Sequence, residues 1–149
     1  MVEKILLDST YLLPIVGIAV KDVEEILKVL ERLYRADAIE LYYTHFNILE
    51  IMGKLSRTWY EVETVKMGLR SIMENFRQAS PTYQSYVKAL QLKSIGFRDL
   101  IDLLLYTTSV DNGLQLLTRD RKLWEFVKKT GEGESKAIIL EEEFLKTHR

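Results

Sequence analysis

The chain contains no cysteine in its 149 residues. Disulfides, a thiolate metal site and a cysteine nucleophile are therefore excluded. Histidine is scarce, with only His45 and His148 present. A multi-histidine zinc site is excluded with it. Any metal must be held by oxygen ligands, which favours Mg²⁺ or Mn²⁺. An excess of one charge is also missing: 21 Lys and Arg stand against 22 Asp and Glu. No basic field covers the whole molecule, so nucleic-acid binding would need a local patch or metal ions. No apolar stretch reaches membrane-span length, and the N-terminus lacks a cationic region with a following apolar run and cleavage site. The expectation is a cytoplasmic protein with no membrane partner. Repeats, low-complexity segments and long linkers are absent as well. This predicts one domain over 1–149, with a short tail after about residue 141.

The stretch from Gly96 to Asp120 is the most informative. Leu100, Ile101, Leu103, Leu104, Leu105, Tyr106 and Val110 predict a helix that is apolar on most sides and therefore buried. Asp102 lies within that apolar run. A carboxylate there needs a cation, a metal or hydrogen bonds. Asn112-Gly113 reads as the helix end. Leu114 to Leu117 reads as a strand, with Thr118, Arg119 and Asp120 just beyond it. Open α/β sheets bind ligands outside the carboxyl ends of their strands.

From the N-terminus, Val2 to Leu7 predicts a strand ending at Asp8. Asp8 is then either a helix N-cap or a site acid. Tyr11 to Val20 predicts a helix with Pro14 early in it. Lys21 to Arg35 predicts an amphipathic helix, and Ile39 to Tyr43 a second strand. Thr44 can cap a helix running to about Arg57, in which Glu50 sits among apolar residues and Gly53 permits close packing. His45 reads as a helix-end residue rather than a ligand. Trp59 to Phe76 predicts a helix whose Met and aromatic stripe is core or a dimer face. Arg77 to Ala79 reads as a short strand, with Ser80-Pro81 starting the next helix. Tyr83, Tyr86, Val87, Leu90 and Leu92 would be its apolar face. Arg121 to Thr130 reads as a helix, residues 131–135 as a loop, Ala137 to Leu140 as the last strand, and the acidic tail as a solvated helix end. Alternating strands and helices argue for an α/β sandwich with a mainly parallel sheet and right-handed crossovers.

Four acids stand out: Asp8, Glu50, Asp102 and Asp120. Gathered carboxylates raise one another's pKa unless a cation neutralises them. One or two Mg²⁺ or Mn²⁺ ions would do so, and could bind a phosphodiester and activate water. Asp99, one turn before Asp102, reads as a first-turn or N-cap acid, or as one that could replace Asp102 in the site, although the spacing to Asp120 favours Asp102. Arg98, Arg119, Arg121 and Lys122, with Lys54 and Arg57, could grip phosphates or simply be solvated. Tyr11, Tyr43 and Trp124 could stack on bases, or be core.

These residues carry a resemblance. Asp8 before Ser-Thr-Tyr-Leu-Leu, Glu50 in Ile-Leu-Glu-Ile, and Asp102 with the later Asn-Gly-Leu-Gln-Leu-Leu-Thr-Arg-Asp resemble the PIN-domain nucleases, which include the VapC-type toxins. The resemblance runs from Val2 to about Leu140. It implies a three-layer α/β/α sandwich with a mainly parallel sheet of about five strands. It implies an acidic pocket holding Mg²⁺ or Mn²⁺ and hydrolysis of RNA by an activated water. By carry-over Asp8, Glu50 and Asp102 are the core acids and Asp120 the fourth. Ser9, Thr10, Thr118 and Asp99 support them by hydrogen bonds. RNA, an antitoxin protein and a second copy of the chain are the implied partners. Two other readings stand beside this one. The first is a PIN fold of little activity that binds protein or RNA. The second is a phosphatase using Asp8 as nucleophile, although the second acid two residues on is missing.

Overall fold

The computed structural model describes residues 2–130 and 135–149. Within them five short segments form one parallel sheet: β1 (Glu3–Leu7), β2 (Ile39–Tyr43), β3 (Arg77–Gln78), β4 (Gln115–Thr118) and β5 (Ile138–Leu140). Their order is β3-β2-β1-β4-β5. β1 is central, with Leu6 beside Tyr42 of β2 and Leu116 of β4. The chain turns to one side of β1 for β2 and β3, and to the other for β4 and β5. The crevice between β1 and β4 is thus a topological switch point, the usual ligand position in such sheets.

Period-two alternation sends β1 into two cores. Ile5 and Leu7 join a cluster on one face, beneath α1 (Glu24–Arg35), α3 (Val62–Asn75) and α7 (Glu141–His148). Leu6 and Leu116 join the other, beneath α4 (Tyr83–Ile95), α5 (Leu100–Asp111) and α6 (Arg121–Lys129). α2 (His45–Leu55) lies near the carboxyl end of the sheet, with Ile51 in the first cluster and Phe46 against the second. The result is the α/β/α sandwich expected from the sequence. Among the described residues no helix is long and apolar enough to cross a membrane.

Several expectations are corrected. Tyr11 to Val20 is not a helix but two 3-10 turns, Ser9–Tyr11 and Leu13–Val16. Pro14 offers no N–H to a longer helix, and Gly17 reverses the chain at φ 96°. Gly53 faces open space. The close approach is at Gly68, where an added Cβ would lie 2.3 Å from the Ile15 carbonyl oxygen. Trp59 precedes α3 and is exposed. The stripe it began divides: Ile72 is buried, while Val62, Met67 and Met73 face solvent.

Thr82, rather than Ser80, caps α4, exchanging hydrogen bonds reciprocally with Ser85. That helix is also rotated from expectation. Ser85, Ala89 and Leu92 are its buried residues, because small side chains let it lie close on α5. Tyr83, Tyr86, Val87 and Leu90 are exposed. The acidic tail is no solvated end, for in α7 Phe144 is fully buried and Leu145 nearly so. The loop expected at 131–135 lies, through residue 134, outside the described residues.

Candidate active site

Asp8 is the first residue after β1 and makes no capping hydrogen bond to the turn that follows. Its carboxylate points instead across the switch point. The Thr118 hydroxyl at the end of β4 donates to Asp8 Oδ2 at 2.6 Å. The same hydroxyl oxygen accepts the Asp120 N–H at 3.0 Å. Thr118 is wholly buried and ties two acids to one strand end.

Glu50 is placed by α2. Thr44 begins that helix in a capping box with Asn47. Asn47 is one turn before Glu50 and is fully buried. Its Nδ2 donates to the Leu7 carbonyl at 3.1 Å and to Ser9 Oγ at 3.0 Å. Ser9 Oγ in turn donates to Glu50 Oε1 at 2.6 Å. A chain of hydrogen bonds thus fixes Glu50 to the end of β1. Ser9 has the supporting place anticipated for it, and Thr10 lines the same cleft. Asn47 escaped the sequence reading. Its signal was Asn three residues after a capping Thr and three before Glu50, hence on the helix face that Glu50 uses.

Asp102 stands in the first turn of α5 rather than its middle. Asp99 caps that helix, accepting from the Ile101 and Asp102 amides at 3.0 and 3.2 Å. The helix N-terminus favours anions at both positions. Asp99 has a second place as well. Glu50, Asp99 and Asp102 each bring a carboxylate oxygen within 4.8 Å of the others. Asp120 caps α6 through the Lys122 and Leu123 amides.

Electrostatics make Asp102 the centre of the group. Burial, then Asp8, Asp99, Asp120 and Glu50, push its pKa up to about 8. Burial also raises Asp8, against the Thr118 hydrogen bond. Glu50 is raised by burial, with the Ser9 hydrogen bond opposing and Asp8 and Asp99 adding to the rise. Asp8, Glu50 and Asp102 are thus each held above the ordinary carboxylate range, and Glu50, Asp99 and Asp102 lie within mutual ligand distance, a donor set that fits an oxygen-binding divalent ion.

Asp8, Glu50, Asp102 and Asp120 line a cleft of about 300 Å³, with Lys54 and Leu13 on its wall. Arg119 also borders it, but its guanidinium is engaged. It pairs with Glu141 through two bonds of 3.0 and 3.2 Å and donates to the Lys21 and Asp22 carbonyls at 2.8 and 2.7 Å. The buried Tyr11 hydroxyl donates to the same glutamate at 2.9 Å. Arg121 pairs with Glu142. Of the basic residues anticipated for phosphate, Arg98 and Lys122 alone line an adjoining cavity, which shares Asp99, Asp102 and Asp120 with the acidic group. Tyr43 is core, and Lys128 covers the Trp124 ring at 4.7 Å. His45 is at the α2 end, beside Gln78.

No family profile and no curated protein matches the sequence. Solved structures match over nearly the whole chain. The crystal structure of VapBC2 from Rickettsia felis bound to a DNA fragment from their promoter has a chain with a TM-score of 0.65 at 14% identity, covering 92% of this chain and 96% of that one. A structure of FitAB bound to an IR36 DNA fragment gives 0.55 at 14%, covering 92% and 94%. FitAcB from Neisseria gonorrhoeae gives 0.52 at 15%, covering 91% and 95%. At such identities the likeness establishes the fold. The chain has the PIN-domain fold, with its five-stranded parallel sheet.

Proposed function

We propose that this chain is a Mg²⁺- or Mn²⁺-dependent endoribonuclease and the toxin of a toxin–antitoxin pair. The observation that carries the reading is the meeting of Glu50, Asp99 and Asp102 within 4.8 Å, beside Asp8 at the switch point of a PIN fold. Glu50, Asp99 and Asp102 would hold the ion, with Asp8 and Asp120 completing the negative field. A divalent ion bound there supplies Lewis acidity toward a phosphodiester and its attacking water. The protein's own part is positional. Thr118 holds Asp8, Ser9 and Asn47 hold Glu50, and Asp99 begins the helix that carries Asp102. Asp102 releases its proton when its neighbours are neutralised.

The related folds come from complexes, VapBC2 and FitAB, seen with DNA. We extend the pairing to this chain as an antitoxin partner that presents a basic side chain to the carboxylates. The exposed Leu49 and Met52 of α2, with Tyr86 and Leu90 of α4, offer apolar surface for such a partner or for a second copy. The Trp59–Phe76 stripe offers a second apolar surface for a second copy, with Trp59, Val62, Met67 and Met73 exposed. RNA and an antitoxin place the protein in the cytoplasm.

That same apolar surface is what favours the alternative, a PIN-fold binding module of little activity. Calorimetric titration of Mn²⁺ into wild type and Asp102→Asn, with RNA cleavage assayed on the same samples, separates the two. Loss of both binding and cleavage in the variant supports the nuclease. Metal binding without cleavage favours the module, and no binding in wild type refutes the metal site. A nucleophilic Asp8 is disfavoured, since its carboxylate is clamped by Thr118.

A further inference from the structure

Beyond Asp102 and Asp120, away from Glu50, lies a cavity of about 500 Å³. That volume is ordinary for a site that takes a small organic group, roughly 300–1,000 Å³. Its floor is aromatic. Phe97, just before α5, and Phe126 of α6 lie 5.0 Å apart with ring planes inclined at 48°. Both rings pack on the second core yet stay partly open to solvent. Arg98, Lys122 and Lys129 line it beside the two rings, and Asp99, Asp102, Asp120 and Glu125 line it as well. Two aromatic rings with three cations beside them, in a cavity that shares carboxylates with the candidate site, are a combination that recurs nowhere else among the described cavities.

We infer that this cavity seats one unpaired nucleobase of the RNA, stacked on the Phe97–Phe126 floor, with the adjoining phosphates on Lys122 and Arg98. The inference rests on the nuclease reading and adds to it the residues that receive an unpaired base. A base inside a duplex cannot reach an aromatic floor, whereas a splayed base stacks on it readily. The cavity shares Asp102 and Asp120 with the acidic cleft, so a base held here brings its phosphate beside the carboxylates.

The test is equilibrium binding of a labelled single-stranded RNA hexamer in EDTA, so that turnover plays no part. Wild type should bind the hexamer more tightly than its duplex. Phe126→Leu should weaken binding about 10-fold, the effect of losing one stacked base. Phe126→Tyr, which keeps the ring, should retain affinity. Lys122→Met should lower the slope of log affinity against log salt by about one. Unchanged binding by a folded Phe126→Leu, or equal binding of the duplex, overturns the inference. So does displacement of the hexamer by a basic peptide that loses its own affinity in Phe126→Leu. Cleavage by wild type with unimpaired Phe126→Leu would leave the nuclease standing and remove the pocket. Ring-dependent binding without cleavage under any metal would do the reverse.

Discussion

Thr118 and Asp8 are 110 residues apart, and the hydroxyl of one donates to the carboxylate of the other at 2.6 Å. The bond spans the switch point, joining the end of β4 to the end of β1. It is a buried, charge-assisted contact, and its oxygen is also the acceptor for the Asp120 amide. Thr118→Val keeps the shape and deletes both roles. It should cost about 1–3 kcal/mol in urea unfolding, as an unsatisfied buried group does. Cleavage should fall about 10- to 100-fold, the loss usual for a group that orients metal ligands. A variant cleaving at the wild-type rate would remove Thr118 from the site.

The metal-free protein should be more stable in mild acid than in mild base. Asp102 has its pKa raised to about 8 when folded, above the ordinary 3.8 of an aspartate. Between those values the folded chain keeps a proton that the unfolded chain has released. Stability therefore falls as pH rises across that window. Asp8 and Glu50 are raised too and act in the same direction. Melting in EDTA at pH 5.5 and 8.5 should show the drop. Asp102→Asn should flatten it, since the amide cannot lose the proton. A wild-type Tm that rises toward pH 8.5 would contradict the electrostatic account.

Asn47→Ala should separate position from chemistry. It cuts the link from the Leu7 carbonyl to Ser9 and on to Glu50 and also removes one side of the capping box. We expect a loss of about 1–3 kcal/mol. Cleavage should drop about 10-fold or more, with Mn²⁺ affinity weakened in parallel. Intact affinity for Mn²⁺ in calorimetry would show that Glu50 holds its place without the chain of bonds.

Arg119 should behave as a strut. Arg119→Met removes the pairing with Glu141 and the hold on the Lys21 and Asp22 carbonyls. Asp22 adopts a positive φ of 56°, so this turn depends on an outside partner. The pair is partly open to solvent, so the expected loss is modest, about 1–2 kcal/mol. The salt slope of RNA binding should stay at the wild-type value. A slope lower by about one would restore Arg119 to the phosphate contacts.

Much of this fold could be read from the sequence because its signals are local. Ile39 to Tyr43 was delimited to the residue, since a strand bounded by Ala-Asp-Ala and a capping Thr has clear ends. Asn112-Gly113 marked the end of α5, and Gly113 does take a left-handed φ of 67°. The four acids were visible because each broke an apolar pattern or ended a strand. What could not be read depends on which face meets which neighbour. The apolar side of α4 is exposed because Ser85 and Ala89 approach α5, and Asp111 of α5 accepts from Thr82 and Ser85. Nothing in the periodicity of α4 alone reveals that preference. Asp99 reads from the sequence as a cap or as a substitute for Asp102; that it stands beside both Asp102 and Glu50 depends on the position of α2. Phe97 and Phe126 are 29 positions apart in the chain, and only the fold makes them neighbours.

The central place of β1 also sets the order in which the molecule can mature. A nascent chain can pair β1 with β2 once some forty residues are free, because β2 ends at Tyr43. The other edge of β1 waits for β4, which ends only at Thr118. Long-range parallel pairing is slow to form. Until it does, Asp8 has no Thr118, Asp102 has no settled neighbours, and the carboxylates cannot act together. Whatever the site does is thus withheld from the growing polypeptide until β4 has been made and has paired with β1.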